Sequence, residues 1–186
     1  MEHIDCNSLM NICNLKNVDP ATLKLPYPPI KVLRKNKYYA DLLSADYSSA
    51  VSEFTAIAQY VNHETRLTKW HCDVAITLLS IAMTEMEHLQ IIGELILLLG
   101  GSLTYDTTYA NTNVTWKTKY VEYEVTPQEM ILADIEGEKA AIAQYKEHIN
   151  VICDPYICAV LTRIVKDEEY HITLLKELSK YLWMKF

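Results

Sequence analysis

The chain has 186 residues, half of them apolar, with only four glycines and six prolines. That suits one domain with a sizeable core and argues against disorder beyond short segments. A net charge of −7 excludes a nucleic-acid surface, because the basic stretch Lys31, Arg34, Lys35 and Lys37 is too short to neutralise a phosphate backbone.

In chain order, residues 1–36 show no sustained period, and the proline-rich LPYPPI predicts an extended arm lying on a body formed by residues 37–186. A first helix is expected from about Lys37 to Glu64. Thr68 is placed as the N-cap of a second, spanning about 69–99 and stopped by Gly100 and Gly101. A long connection follows, and its β-branched and aromatic alternation near Trp116 to Val125 predicts a short strand or hairpin. Thr126, Pro127 and Glu129 form a capping-box signal for a third helix running to about Val151. Asp154-Pro155 repeats the cap-plus-proline signal and opens a fourth, ending near Leu182. The fold class is therefore all-α: two helical hairpins joined by one long crossover.

Two properties bear on the compartment. The apolar run IIGELILLLG is interrupted by Glu94 and too short to span a bilayer, and no charged segment precedes an apolar one at the start, so a non-membrane, cytoplasmic protein is expected. The cysteines (Cys6, Cys13, Cys72, Cys153 and Cys158) lack paired CxxC spacing, which predicts reduced thiols rather than a disulfide framework or zinc site. Cys153 and Cys158 bracket DPYI and could in principle meet.

The chemistry lies in a repeated phrase. SEFTAIAQY begins at Ser52 and GEKAAIAQY at Gly137, each with a glutamate seven residues before a tyrosine. Glu53 is followed in the next helix by Glu85 and His88, and Glu138 by Glu168 and His171. At i and i+3, each Glu-x-x-His pair projects from one helix face. Stepping by three and four gives Leu78, Ile81, Glu85, His88, Ile92, Leu95 and Leu99 in the second helix. The fourth gives Leu161, Ile164, Glu168, His171, Leu175, Leu178 and Leu182. The third gives Ile131, Ile135, Glu138, Ile142, Tyr145 and Ile149. Each stripe is apolar except where glutamate, histidine or tyrosine falls, so the acids are predicted on the core seam.

An ionised carboxylate there costs several kcal/mol, and four at one level repel each other. Two divalent cations balance four carboxylates, with two neutral imidazoles completing the shell. The predicted ligands are Glu53, Glu85, His88, Glu138, Glu168 and His171, with Glu85 and Glu168 as bridges and Glu53 and Glu138 terminal. Oxygen and imidazole donors without thiolate suit two iron or two manganese ions. Glu87, Glu94, Glu136, Glu147, Glu169 and Glu177 step off the stripe and are read as solvated. His63, His71 and His148 lack a partner at ligand spacing and are read as surface or helix-end residues. Tyr60 and Tyr145 lie on the ligand face, as core tyrosines, as donors to a carboxylate of the opposite half, or as an electron relay. Asp167 is expected to accept from the ring of a liganding histidine on a neighbouring helix, with Thr84 at the equivalent place in the other half.

The paired pattern SEFTAIAQY, EMEH, GEKAAIAQY, DEEYH resembles the rubrerythrin branch of the ferritin-like superfamily and is similar to the manganese catalase branch, over about residues 37–182. The resemblance implies a ferritin-like four-helix bundle with a dinuclear carboxylate site at the six residues named. It also implies oxidoreductase action on hydrogen peroxide, as peroxidase or catalase. Rubrerythrins typically carry a further glutamate one turn before the third-helix ligand. Here that place is Ile135. With no rubredoxin-like paired CxxC in the sequence, a peroxidase would draw electrons from a separate donor protein. Dioxygen chemistry in a ferroxidase that handles iron, or a coat-type structural protein with a residual metal site, are the alternatives. A homodimer is the expected assembly.

Overall fold

The computed structural model describes residues 13, 15–109 and 112–185. The helical body has five α-helices among these residues: α1 (Lys37–Ser48), α2 (Glu53–Leu67), α3 (Cys72–Leu98), α4 (Pro127–Val151) and α5 (Pro155–Lys185). Helices α2 and α3 form one hairpin, α4 and α5 the other, and α1 leans on α3. The bundle is ferritin-like in its connectivity, with the crossover running from α3 to α4.

The single first helix expected over Lys37 to Glu64 is instead two, broken over residues 49–52. Serine chemistry explains the break. Ser49 Oγ donates to Val51 O, and both Ser52 Oγ and Thr55 Oγ1 donate to Ser49 O. Such local bonds compete with the helical ladder. Ser52 then caps α2 by accepting from Thr55 N. Thr68 is likewise not the N-cap of the next helix. Its backbone N–H and hydroxyl both donate to Glu64 O, closing α2, and α3 begins at Cys72 beside His71. The capping box of Thr126 and Glu129 forms as predicted.

The crossover holds a two-stranded antiparallel hairpin, β1 (Asp106–Tyr109) with β2 (Thr112–Thr115), pairing Asp106 with Thr115. The strand or hairpin expected in this connection is thus present, ahead of the alternating stretch near 116–125, which carries a 3₁₀ turn at Thr118–Tyr120. Trp116 turns inward, packing its ring on Phe54 and donating its indole N–H to Thr55 Oγ1.

Two apolar clusters fill the bundle. One gathers Leu43, Ile92, Leu95, Leu99, Leu161 and Ile164; the other gathers Leu78, Ile81, Met130, Ile131, Leu175 and Leu182. Buried Thr84, Glu85 and His88 fall between Ile81 and Ile92 along α3, and buried Asp167, Glu168 and His171 between Ile164 and Leu175 along α5. A polar layer therefore separates two dry ones.

The arm is extended from residue 18 to 36 apart from local bends, and lies across α3 and α5. Ala21 N donates to Ser80 O, Leu23 N to Asp167 Oδ1, Leu33 N to Asp154 Oδ2 and Asn36 N to Leu99 O. Its start is tied by a disulfide between Cys13 and Cys72, with Cα atoms 5.3 Å apart. The expectation of reduced thiols throughout is thus corrected. Spacing along the chain carried no sign of a link that the arm's path creates. Cys153 and Cys158 are separate free thiols; Cys6 lies outside the described residues. Among the described residues, no helix is long and apolar enough to cross a membrane.

Candidate metal centre

All six predicted ligand residues converge in the polar layer, and each is at most 4% exposed. Their donor atoms fall into two groups: Glu53, Glu85, His88 and Glu168, and Glu85, Glu138, Glu168 and His171. Within each group the atoms lie within 4.8 Å of one another. His88 Nδ1 is 3.1 Å from Glu85 Oε2, 3.1 Å from Glu168 Oε1 and 3.7 Å from Glu53 Oε2. His171 Nδ1 is 2.9 Å from Glu85 Oε1, 2.9 Å from Glu168 Oε2 and 3.4 Å from Glu138 Oε1. Glu85 and Glu168 each turn one oxygen to each histidine. Glu53 and Glu138 each serve one group.

The donor set fits cations. Glu85 Oε1, both oxygens of Glu168 and His171 Nδ1 are buried yet make no hydrogen bond, although they lie close together. Buried polar atoms without partners need an explanation. Atoms drawn together without bonding one another are what a shared ion would organise, and oxygen with imidazole nitrogen suits iron or manganese.

Without cations, burial and the neighbouring charges shift the proton affinities of these groups. Burial, and then the Glu85 carboxylate, push Glu53 and Glu138 well above the usual carboxylate range. Burial alone would depress the histidines. The Glu168 carboxylate beside His88 and the Glu85 carboxylate beside His171 override it and raise both well above their ordinary value. Burial pushes Glu85 up as well, but His171 holds it well below normal.

The tyrosines exchange partners between halves. Tyr60 Oη donates to Glu138 Oε1, and Tyr145 Oη donates to Glu53 Oε1. The repeat therefore sets each tyrosine on the acid of the opposite hairpin.

Behind the histidines lies the arm. His171 Nε2 faces Ala21 O at 3.0 Å. His88 Nε2 faces Tyr27 Oη at 3.0 Å and Asp167 Oδ2 at 3.4 Å. Tyr27 donates to Asp167 Oδ2 at 2.6 Å, and Arg163 pairs with that oxygen at 2.6 Å. Asp167 thus supports His88 as expected, mainly through Tyr27. In spite of burial, its bonds from His88, Arg163 and Tyr27 hold its carboxyl well below the usual range. Thr84 bonds its own helix at Ser80 O, and a backbone carbonyl serves the second histidine instead. With each Nε2 given an acceptor, Nδ1 is left to the centre. We expect Tyr27→Phe to weaken cation affinity about 10–100-fold with little change in the melting temperature, read by competition with a chelator. An unchanged affinity would leave the arm without a part in the site.

Two buried pairs were missed. His63 and His148, expected at surfaces or helix ends, are 0% and 7% exposed. His63 Nδ1 meets Asp134 at 3.0 Å, and Gln59 Nε2 donates to the same carboxylate at 2.8 Å. His148 Nδ1 meets Asp46 at 2.8 Å, and Gln144 Nε2 donates to Asp46 at 2.7 Å. The repeat extends further than its glutamate and tyrosine: Gln59, Tyr60 and His63 match Gln144, Tyr145 and His148. Each copy grips an aspartate of the other half, and the break after α1 brings Asp46 into place. His71 does sit at a helix end. The off-stripe glutamates are exposed, except Glu87, which is half-buried. Asp134→Ala leaves buried His63 Nδ1 and Gln59 Nε2 without their shared carboxylate, while His63 Nε2 and Gln59 Oε1 keep Glu122. It should cost about 3–5 kcal/mol of stability in denaturant titration while the cation content stays that of the unsubstituted protein.

A cavity of ≈ 450 Å³ lies between α2 and α4 and reaches Glu53, Glu85, Glu138 and Glu168. Ala56, Ala133, Gly137 and Ala141 line it, and Glu122, Glu124 and Glu136 contribute further acids.

Residues 49–182 match the family described as a ferritin-like domain. No curated protein matches the chain. Among solved structures, KatB, a manganese catalase from Anabaena PCC7120, superposes with a TM-score of 0.77 at 20% identity, over 86% of this chain and 79% of that one. Bacterioferritin BfrA of Mycobacterium tuberculosis gives 0.67 at 25% identity, over 81% and 89%. The Rhodobacter capsulatus bacterioferritin, with a metal-free dinuclear site, gives 0.64 at 21%, over 80% and 88%.

Proposed function

Since the chain belongs to the ferritin-like domain family, we propose that it is an oxidoreductase acting on hydrogen peroxide at a dinuclear iron or manganese centre. The observation that carries this reading is the double reach of Glu85 and Glu168, each with one oxygen toward either histidine. Carboxylates with this double reach would hold two ions side by side, and such a pair would supply two-electron chemistry to a peroxide. The manganese catalase likeness in fold supports the same chemistry.

When bound, the two ions supply the redox chemistry, exchanging two electrons between divalent and trivalent states. The protein does the rest. Glu53 and Glu138 hold one position each, and the hydroxyls of Tyr145 and Tyr60 keep them aimed. The apolar clusters above and below keep water from the buried face, so substrate approaches from the cavity. Tyr60 and Tyr145 each hold a proton at a carboxylate oxygen of the centre, close to where peroxide oxygens need one.

Elemental analysis of the isolated protein, followed by oxygen measurement after peroxide addition, tests the reading. Oxygen release without a donor is expected for manganese. With iron, peroxide beyond one equivalent per pair of divalent ions should disappear only when a reducing partner protein or a chemical donor is present. A fully loaded protein that leaves peroxide untouched would sink it. An iron-oxidising role is favoured by the acids Glu122, Glu124 and Glu136 at the cavity and by the bacterioferritin likeness. That reading requires a large shell in light scattering, whereas the peroxide reading is met by a homodimer.

A further inference from the structure

We propose that the space between α2 and α4 is a chamber for organic hydroperoxides, so that the centre reduces peroxides bulkier than hydrogen peroxide; the inference rests on the peroxide reading above. Size is the first argument. Hydrogen peroxide is two oxygens, and a water occupies about 30 Å³ of the liquid. A cavity of ≈ 450 Å³ exceeds that by an order of magnitude and falls within the range of pockets for small organic ligands.

The space is built. Ala133, Gly137 and Ala141 follow one another at four-residue steps along α4, opposite Ala56 of α2. Gly137 sits inside a helix, where glycine costs about 1 kcal/mol relative to alanine. A Cβ added there would meet nothing within 4 Å, so no neighbour demands a glycine at that position. The two aspartate clasps span the same gap, for Asp46 with Gln144 and Asp134 with Gln59 all line it. They join α4 to α1 and α2 and hold the helices apart where small side chains would otherwise let them close.

The lining selects a chemical class. Glu122, Glu124 and Glu136 repel anions, while Val51, the alanines and the rings of Tyr60 and Tyr145 offer apolar surface. A neutral molecule with one polar end fits both. At the inner end lie Glu85 and Glu168, 1% exposed, so the space leads to the cluster that would hold the ions. In the reaction the O–O bond of RO–OH breaks. Two electrons come from the centre, one from each divalent ion, and two protons are taken up, one by each oxygen. The products are the alcohol ROH and water. Repeated turnover then needs two electrons per cycle from a one-electron donor such as ascorbate.

The test uses the full chain carrying two divalent ions, with cumene hydroperoxide as probe and hydrogen peroxide as reference. A single turnover should give close to one equivalent of 2-phenylpropan-2-ol per pair of ions. Gly137→Leu, and separately Ala133→Leu, should lower the ratio of cumene hydroperoxide to hydrogen peroxide consumption at least tenfold, with metal content checked in each. In the metal-free protein, 2-phenylpropan-2-ol itself should bind, seen by calorimetry or ligand-observed NMR, and Gly137→Leu should abolish that binding. Consumption of hydrogen peroxide but not of cumene hydroperoxide by the unsubstituted protein overturns this inference alone. Equal slowing of both peroxides by the leucine variants does the same. If neither peroxide is consumed, this inference and the parent reading fall together.

Discussion

Glu168→Ala is expected to reduce bound cations from two per chain to fewer than one, and peroxide turnover by roughly a thousandfold or more. Glu168 Oε1 lies 3.1 Å from His88 Nδ1 and Oε2 lies 2.9 Å from His171 Nδ1, so the one side chain serves both positions. Each position then keeps one histidine and two carboxylates, with less negative charge to offset two divalent ions in a dry layer. Charge stabilisation by bound metal is worth several kcal/mol, and each 1.36 kcal/mol is tenfold in rate. The exposed neighbour Glu169 gives the control: Glu169→Ala should keep both ions and full turnover. Elemental analysis reads the content directly. Two ions retained in the Glu168 variant would contradict the proposed bridging role.

Cation loading near neutral pH should release protons. Burial and the Glu85 carboxylate raise the proton affinity of Glu53 and Glu138, and the neighbouring carboxylates raise that of His88 and His171, in the metal-free protein. Two divalent ions bring four charges and displace protons from these groups. Calorimetric titration in buffers of different ionisation heat counts the protons; a count of none would refute this displacement. Stability follows with a definite sign. A group whose folded value is raised binds protons better in the folded state, so its contribution is complete below its unfolded value and is lost as pH rises through the folded one. For the glutamates the loss begins above the ordinary carboxylate range, and for the histidines above their own. The metal-free protein should therefore melt higher when mildly acidified. The loaded protein should melt lower over the same range, because protons compete with ions for the donors. Melting curves from pH 5 to 9, with and without chelator, test both slopes.

Much of this was written in periodicity. The stripes on α3, α4 and α5 are apolar except at the ligand residues, and burial follows them because a helix repeats its faces every three or four residues. Capping signals at Thr126 and Asp154-Pro155 marked α4 and α5 because those bonds are local. The first helix was misjudged where Ser49, Ser52 and Thr55 turn hydrogen bonds back on the chain, a competition that hydrophobic spacing does not register. His63 and His148 were taken for surface residues because each partner aspartate lies far off in sequence. The repeat did hold the clue, three residues beyond each tyrosine. Nothing in the sequence pointed to Ala21, whose part is played by a carbonyl common to every residue. Nor did periodicity reveal Tyr27 or the tie between Cys13 and Cys72, since an extended segment takes its direction from what it lies on.

The reciprocal tyrosines have a consequence for how the ions arrive. Tyr60 belongs to the hairpin of Glu53 but steadies Glu138, and Tyr145 does the reverse. An ion that fixes one terminal acid thereby restrains the helix that carries the other acid's donor. Occupancy of either place prepares its twin, so singly filled chains should be rarer than independent filling would give.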